Sequence, residues 1–242
     1  MWKRSLLISS LIAVVLVGAG FALDKTLPVQ HLPWRALNPD APLGLATKSQ
    51  LMRLSLSPSK VCMDMAHNSP LLQSVTAEPH KPNKTCGWNI ARMVSGAYST
   101  DIVPKEAQMQ CPLAIGSYMW TRELNELSRK HFSSGLSKIL HVGTYSCRRQ
   151  NGNNSGEWSE HAFANAWDIT GFELEDGRII SIQKDWSGQN KTRKKFLKEA
   201  RNKACKIFRV TLSPDFNAAH HDHFHVDTVS YTHLTLPTIY SV

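Results

Sequence analysis

Two stretches of the chain keep apolar residues at helical spacing. In LAIGSYMWTRELNELSRKHF, Leu113 to Phe132, the positions Ile115, Tyr118, Met119, Leu124 and Leu127 form a stripe with the rhythm of an amphipathic helix. In NKTRKKFLKEARNKACKIF, Asn190 to Phe208, the residues Phe196, Leu197, Ala200, Ala204, Ile207 and Phe208 share one face, and lysines and arginines fill the other. Three further runs read as strands: KILHVGTYS, AWDITGFELED and RIISIQKDW. The turn EDGR joins the second to the third as a hairpin. HFHVD, His223 to Asp227, predicts another short strand. Helices and strands mixed without regular βαβ alternation predict an α+β domain, a small and mostly antiparallel sheet with flanking helices.

The N-terminus departs from this pattern. After the basic head MWKR, the run Ser5 to Leu23 carries no charge. As a helix it would span roughly 28 Å, about the thickness of a bilayer's hydrocarbon core. Residues 1–23 therefore predict a signal anchor in the inner membrane or a signal peptide, and Lys3 and Arg4 keep the head in the cytoplasm. The proline-bearing stretch 24–58 reads as an extended linker, and 59–227 as the folded domain. The net charge of +9 favours anionic surroundings such as lipid or cell-wall polymer. No zinc-finger spacing, P-loop or RNP-like pattern points to nucleic acid. Five cysteines without a CxxC pair fit structural disulfides in an exported domain, with one cysteine left over.

The densest chemistry lies in HHDHFHVD, His220 to Asp227. On a strand, His221, His223, His225 and Asp227 would share one side, with Asp222, Phe224 and Val226 on the other. Buried imidazoles in a row are costly without a partner, and a divalent cation is the natural one. Same-face residues stand roughly 6.5–7 Å apart, so at most two of these histidines can reach one ion. The remaining ligands are sought in SEHAFANAWDITGF, where His161 and Asp168 can meet only if the chain folds back between them. Ala162, Ala164, Asn165 and Ala166 are small enough to permit that turn.

SEHAFANAWD resembles the Ser-x-His-x-x-Gly/Ala-x-Ala-x-Asp motif of the LAS zinc peptidases (lysostaphin, D-Ala-D-Ala carboxypeptidase, hedgehog), and HFH resembles their closing His-x-His. The chain is more similar still to the bacterial extensin-like C-terminal domain family. That likeness rests on PLGLATKSQLMRL, YSCRRQNG, SEHAFANAWDITGF, DGRIISIQKDW, FLKEARNKACKIF and HHDHFHVD, from about residue 40 to 227. The proline repeats of plant extensins are absent.

The resemblance implies a LAS/hedgehog-like fold and a zinc ion held by His161, Asp168 and His225, with a fourth position open. His223 would then stand beside the metal to position or deprotonate water, with Asp222 as the rival base. Arg148 falls where LAS peptidases keep an arginine that can hold a substrate carboxylate or polarise a carbonyl, and Arg149 is its adjacent competitor. Ser159 would support its loop by hydrogen bonding. His220 and His221 read as neighbours of the ligands or as surface residues, and His31, His67, His80, His131 and His141 as structural or exposed.

The implied activity is hydrolysis of amide bonds in peptidoglycan peptide stems, as carboxypeptidase or endopeptidase, in the periplasm. The alternative is a zinc-containing cell-wall-binding module without turnover. The closing TVSYTHLTLPTIYSV, 228–242, resembles a tail found on unrelated chains and is read as non-native. On the resemblance, a cysteine lost with the native end would explain the odd count.

Overall fold

A computed structural model describes residues 22–57 and 59–228, together with isolated positions between 9 and 20. Among the described residues no helix is long and apolar enough to cross a membrane. The span expected over 5–23 falls largely outside them, as does the tail at 228–242 apart from Thr228.

Nine strands form one sheet: β1 (Leu72–Ala77), β2 (Ala91–Ala97), β3 (Thr100–Val103), β4 (Ala107–Met109), β5 (Leu136–Gly143), β6 (Ala166–Leu174), β7 (Ile179–Ser181), β8 (Val210–Leu212) and β9 (Phe224–Asp227). Their order is β1-β2-β3-β5-β6-β9-β8, with β4 on β2 and β7 on β6. The α+β expectation holds, but the sheet is larger than expected and mixed. β3 and β5 run parallel because a long helix crosses between them. Every other pairing is antiparallel, including the β6–β7 hairpin, where Gly177 supplies the positive φ of the turn.

Five helices are described: α1 (Thr47–Leu56), α2 (Ser59–His67), α3 (Cys111–Phe132), α4 (Ile182–Asp185) and α5 (Lys191–Ile207). Both helices expected from the spacing are present, as α3 and α5. The α5 stripe is buried as its pattern requires, Phe208 closing it just past the last turn. α3 is less one-sided than its stripe implied. It is buried from Cys111 through Leu127 with few interruptions, because the sheet, α1, α2 and α5 all pack on it.

At the centre of this core Trp120 meets Trp167, Phe172 and Phe208 edge-on, with ring centroids about 6 Å apart. Its indole N–H donates to the Ala200 carbonyl at 3.1 Å, which satisfies its one polar group. Each such aromatic contributes roughly 1.5–3 kcal/mol by leaving water.

The extended linker expected over 24–58 is not seen in its described part, 24–57. Leu32, Leu37, Leu51 and Leu54 are buried, and Gln50 Nε2 donates to the carbonyls of Val29 and Leu32. Tyr118 of α3 donates its hydroxyl to Asp40, and Arg122 bonds the Pro39 and Ala41 carbonyls. Thr47, Gln50, Leu51 and Leu54 repeat at helical spacing on the buried side of α1. That short stripe outweighs the prolines, which only shape the turns before it.

Disulfides join Cys62 to Cys111 and Cys86 to Cys147. The first ties α2 to the start of α3. The second ties the loop after β1 to the loop after β5. Cys205 has no disulfide partner among the described residues.

Candidate metal centre

His161 and Asp168 are brought together by a chain reversal. Ser159 opens a one-turn 3-10 helix, Glu160–Phe163, and its Oγ accepts the His161 N–H. Ala164 then adopts the left-handed region at φ 57°, a conformation that costs a side chain least when it is small. Its N–H turns back to the carbonyls of Glu160 and His161, and its own carbonyl accepts from Gln110 N. By Ala166 the chain is extended again, and the sheet places Asp168 directly across from His225.

β9 shows the alternation expected of it from Phe224 onward. Phe224 and Val226 are fully buried against the core, and His225 points the other way, with Asp168. The alternation fails before Phe224. Ala218–His220 is a 3-10 turn, so His221, Asp222 and His223 lie outside the strand. His221 turns out to solvent, its Nδ1–H on the Ala218 carbonyl, and does not share a face with His225. Asp222, expected on the far side, instead accepts the Nδ1–H of His223 at 2.8 Å.

Three ligand-type groups converge. His161 Nε2 lies 3.0 Å from Asp168 Oδ2 and 3.3 Å from His225 Nδ1, and His225 Nδ1 lies 2.8 Å from Asp168 Oδ1. Tetrahedral bonds of ~2 Å set neighbouring ligand atoms roughly 3.3 Å apart, so this triangle fits zinc with little adjustment. The donor set of two imidazoles and a carboxylate is also that of catalytic zinc sites. His161 donates Nδ1–H to the Thr144 carbonyl at 3.3 Å, leaving Nε2 bare toward the cluster. His161, Asp168 and His225 are the group among the described residues with this convergence.

The groups of the cluster shift one another's acidity. Burial opposes ionisation of Asp168, but hydrogen bonds and charge from His161 and His225 outweigh it and hold the carboxyl far below its usual range. Burial also opposes a charge on His225, yet Asp168 and Asp227 raise it to about 9. Burial pushes the adjacent Glu160 carboxyl up to about 7, against a hydrogen bond from Asn165 and with the Asp227 charge adding to the rise.

His223 Nε2 stands 3.7 Å from Asp168 Oδ1, beside the triangle. The two rival bases, His223 and Asp222, thus form one hydrogen-bonded pair. Arg148 is exposed, and its guanidinium has no hydrogen-bond or ionic partner among the described residues. Arg149 is occupied: it lies over the Trp158 ring and bonds the Gly156 carbonyl.

His220 takes the first of the two places the sequence left open for it, beside the ligands rather than on the open surface. Its ring centroid lies 5.1 Å from that of His223 and 5.9 Å from that of His225. Burial and the neighbouring histidines push it down to about 4, and Asn217 Oδ1 fixes its Nδ1 at 2.7 Å. The spacing His-x-x-His-x-His was the available signal, since a 3-10 turn brings i and i+3 to one side. Of the other histidines, His80 packs on Trp88 and Tyr145, and His141 is buried with Nε2 on the Pro104 carbonyl.

No curated protein and no solved structure matches the chain at a significant level. The family model described as Extensin-like protein C-terminus matches residues 60–236, a span that contains the reversal at Ala164, the His161–Asp168–His225 triangle and both disulfides. By that match over most of its length, the chain belongs to the Extensin-like protein C-terminus family.

Proposed function

We propose that the protein is an exported zinc-dependent peptidase that hydrolyses amide bonds in peptidoglycan peptide stems. The observation that carries this reading is the triangle of His161 Nε2, Asp168 and His225 Nδ1 at zinc-ligand spacing. A zinc ion bound there supplies Lewis acidity, which polarises a carbonyl and makes water acidic near neutral pH.

The chain's own groups do the rest. His223, with Nδ1–H anchored on Asp222, presents Nε2 to take a proton from the attacking water and return it to the leaving amine. The exposed Arg148 guanidinium, without a partner among the described residues, receives a substrate carboxylate or steadies the developing oxyanion. Stem peptides end in carboxylates, which suits such an arginine and a +9 chain. Two disulfides suit an oxidising compartment, and the uncharged run 5–23 suits an inner-membrane anchor that holds the domain in the periplasm.

The test uses the full chain purified in detergent without a His-tag. Zinc is quantified, and cross-linked muropeptides are incubated with it, with and without chelator. One zinc per chain with chelator-sensitive cleavage supports the peptidase, and product masses name the bond. One zinc without cleavage of any stem type replaces it with a wall-binding module. A chain without zinc overturns both.

A further inference from the structure

Asp227 lies two residues past His225 on β9, and its side chain is 2% exposed. Its backbone is held from both sides, paired with Ala166 on β6 and Val210 on β8, and its carbonyl accepts from Arg209 N. A side chain so anchored has little freedom to move. Its Oδ2 lies 3.7 Å from His225 Nε2, while the opposite ring nitrogen, Nδ1, faces Asp168 and His161.

A neutral imidazole carries one N–H, and the acceptor beside it decides which nitrogen holds the proton. His161 already shows the arrangement in mirror form: its Nδ1–H is fixed by the Thr144 carbonyl and its Nε2 faces the cluster. His225 presents the other nitrogen inward, so it needs an acceptor on the Nε2 side. The Asp227 carboxylate is on that side, at ion-pair distance.

We propose that Asp227 is a positioning residue that keeps the His225 N–H on Nε2, so that Nδ1 stays bare to ligate a divalent transition metal together with His161 and Asp168. The proposal rests on the metal reading of the cluster and adds the device that selects the ligating nitrogen. Carboxylate partners of this kind are worth about 10–100-fold in metal affinity.

The test compares the full chain with Asp227→Asn, which keeps the size of the side chain and removes its charge. Cobalt(II) serves as a spectroscopic probe, and zinc affinity is read by competition with a coloured chelator. The variant is expected to lose about 10–100-fold in zinc affinity and to show an altered visible cobalt spectrum. A purely structural role would lower the melting temperature while leaving the cobalt spectrum of the folded protein unchanged, and that result overturns the proposal. A second measurement needs no variant. In the zinc-loaded wild type, nitrogen-15 spectra should show His225 protonated at Nε2, and protonation at Nδ1 overturns the assignment. A wild-type chain that takes up neither cobalt nor zinc sinks the metal reading itself, a separate outcome.

Discussion

Strands β6 and β9 carry two surfaces made from alternate residues of the same few turns of chain. Toward the helices they present Trp167, Ile169, Phe224 and Val226, all fully buried. Away from them they present Asp168 and His225, joined by His161 from the loop. The first surface stabilises, at roughly 1.5–3 kcal/mol for each large side chain removed from water. The second gathers imidazoles and carboxylates in partial burial, which costs stability unless something pairs them. What the contrast teaches is a division of labour. The apolar surface fixes the backbone, and that fixed backbone holds polar groups at spacings they would not choose alone.

The sharpest way to break the comparison is Asp168→Ala. Metal content is expected to fall from one ion per chain to none, and hydrolysis with it. Compared metal-free, the variant should melt below the wild type but stay folded at room temperature, since it loses the carboxylate that pairs His161 and His225 while the apolar surface is untouched. Unfolding of the metal-free variant at room temperature would show that the two surfaces are not separable. On the other side, Phe224→Ala should cost about 3–5 kcal/mol, read in denaturant melts, while the chain that remains folded still binds zinc. Loss of zinc by well-folded Phe224→Ala would move the backbone-fixing role elsewhere.

Acidity separates the surfaces by sign. In the metal-free protein His225 is raised from 6.5 to about 9, with Asp168 and Asp227 drawing its proton and Glu160, His161 and His220 also nearby. A raised histidine contributes stability fully below 6.5, and that contribution is lost as pH climbs through about 9. The depressed Asp168 contributes above its usual 3.8 and weakens only in strong acid. Metal must displace the His225 proton, so affinity should rise about tenfold per pH unit between 6.5 and 9 and then level off. Calorimetric titrations at stepped pH, beside melts of the metal-free chain, should slope in opposite directions over that window.

Sequence reading reached farthest where one period ruled a segment. α5 was visible because its apolar residues keep helical spacing against lysines. His225 was visible because Phe224 and Val226 flank it. Where periods change or contacts are remote, the sequence was mute. His220 and His223 sit in a turn of period three that feeds a strand of period two, so one alternation misplaced His221 and Asp222. β1 to β4 are short and interrupt their apolar residues with Ser74, Arg92 and Ser95, and Tyr98 and Ser99 make their turn at positive φ without glycine. The docking of residues 24–57 depends on Tyr118 and Arg122, far along the chain. No local pattern announces such partners.

The sheet order has a consequence in time. β9 is the last strand in sequence among those described, yet it lies inside the sheet, between β6 and β8. A chain still emerging from synthesis or export can form α3, β5 and the β6–β7 hairpin, but β8 has no neighbour to join until β9 arrives. His225 rides on that same strand, so the stroke that seats the sheet's final interior member also completes the triangle with His161 and Asp168. Half-made chains hold neither a complete sheet nor a complete cluster, and the fold itself withholds that cluster until the domain is whole.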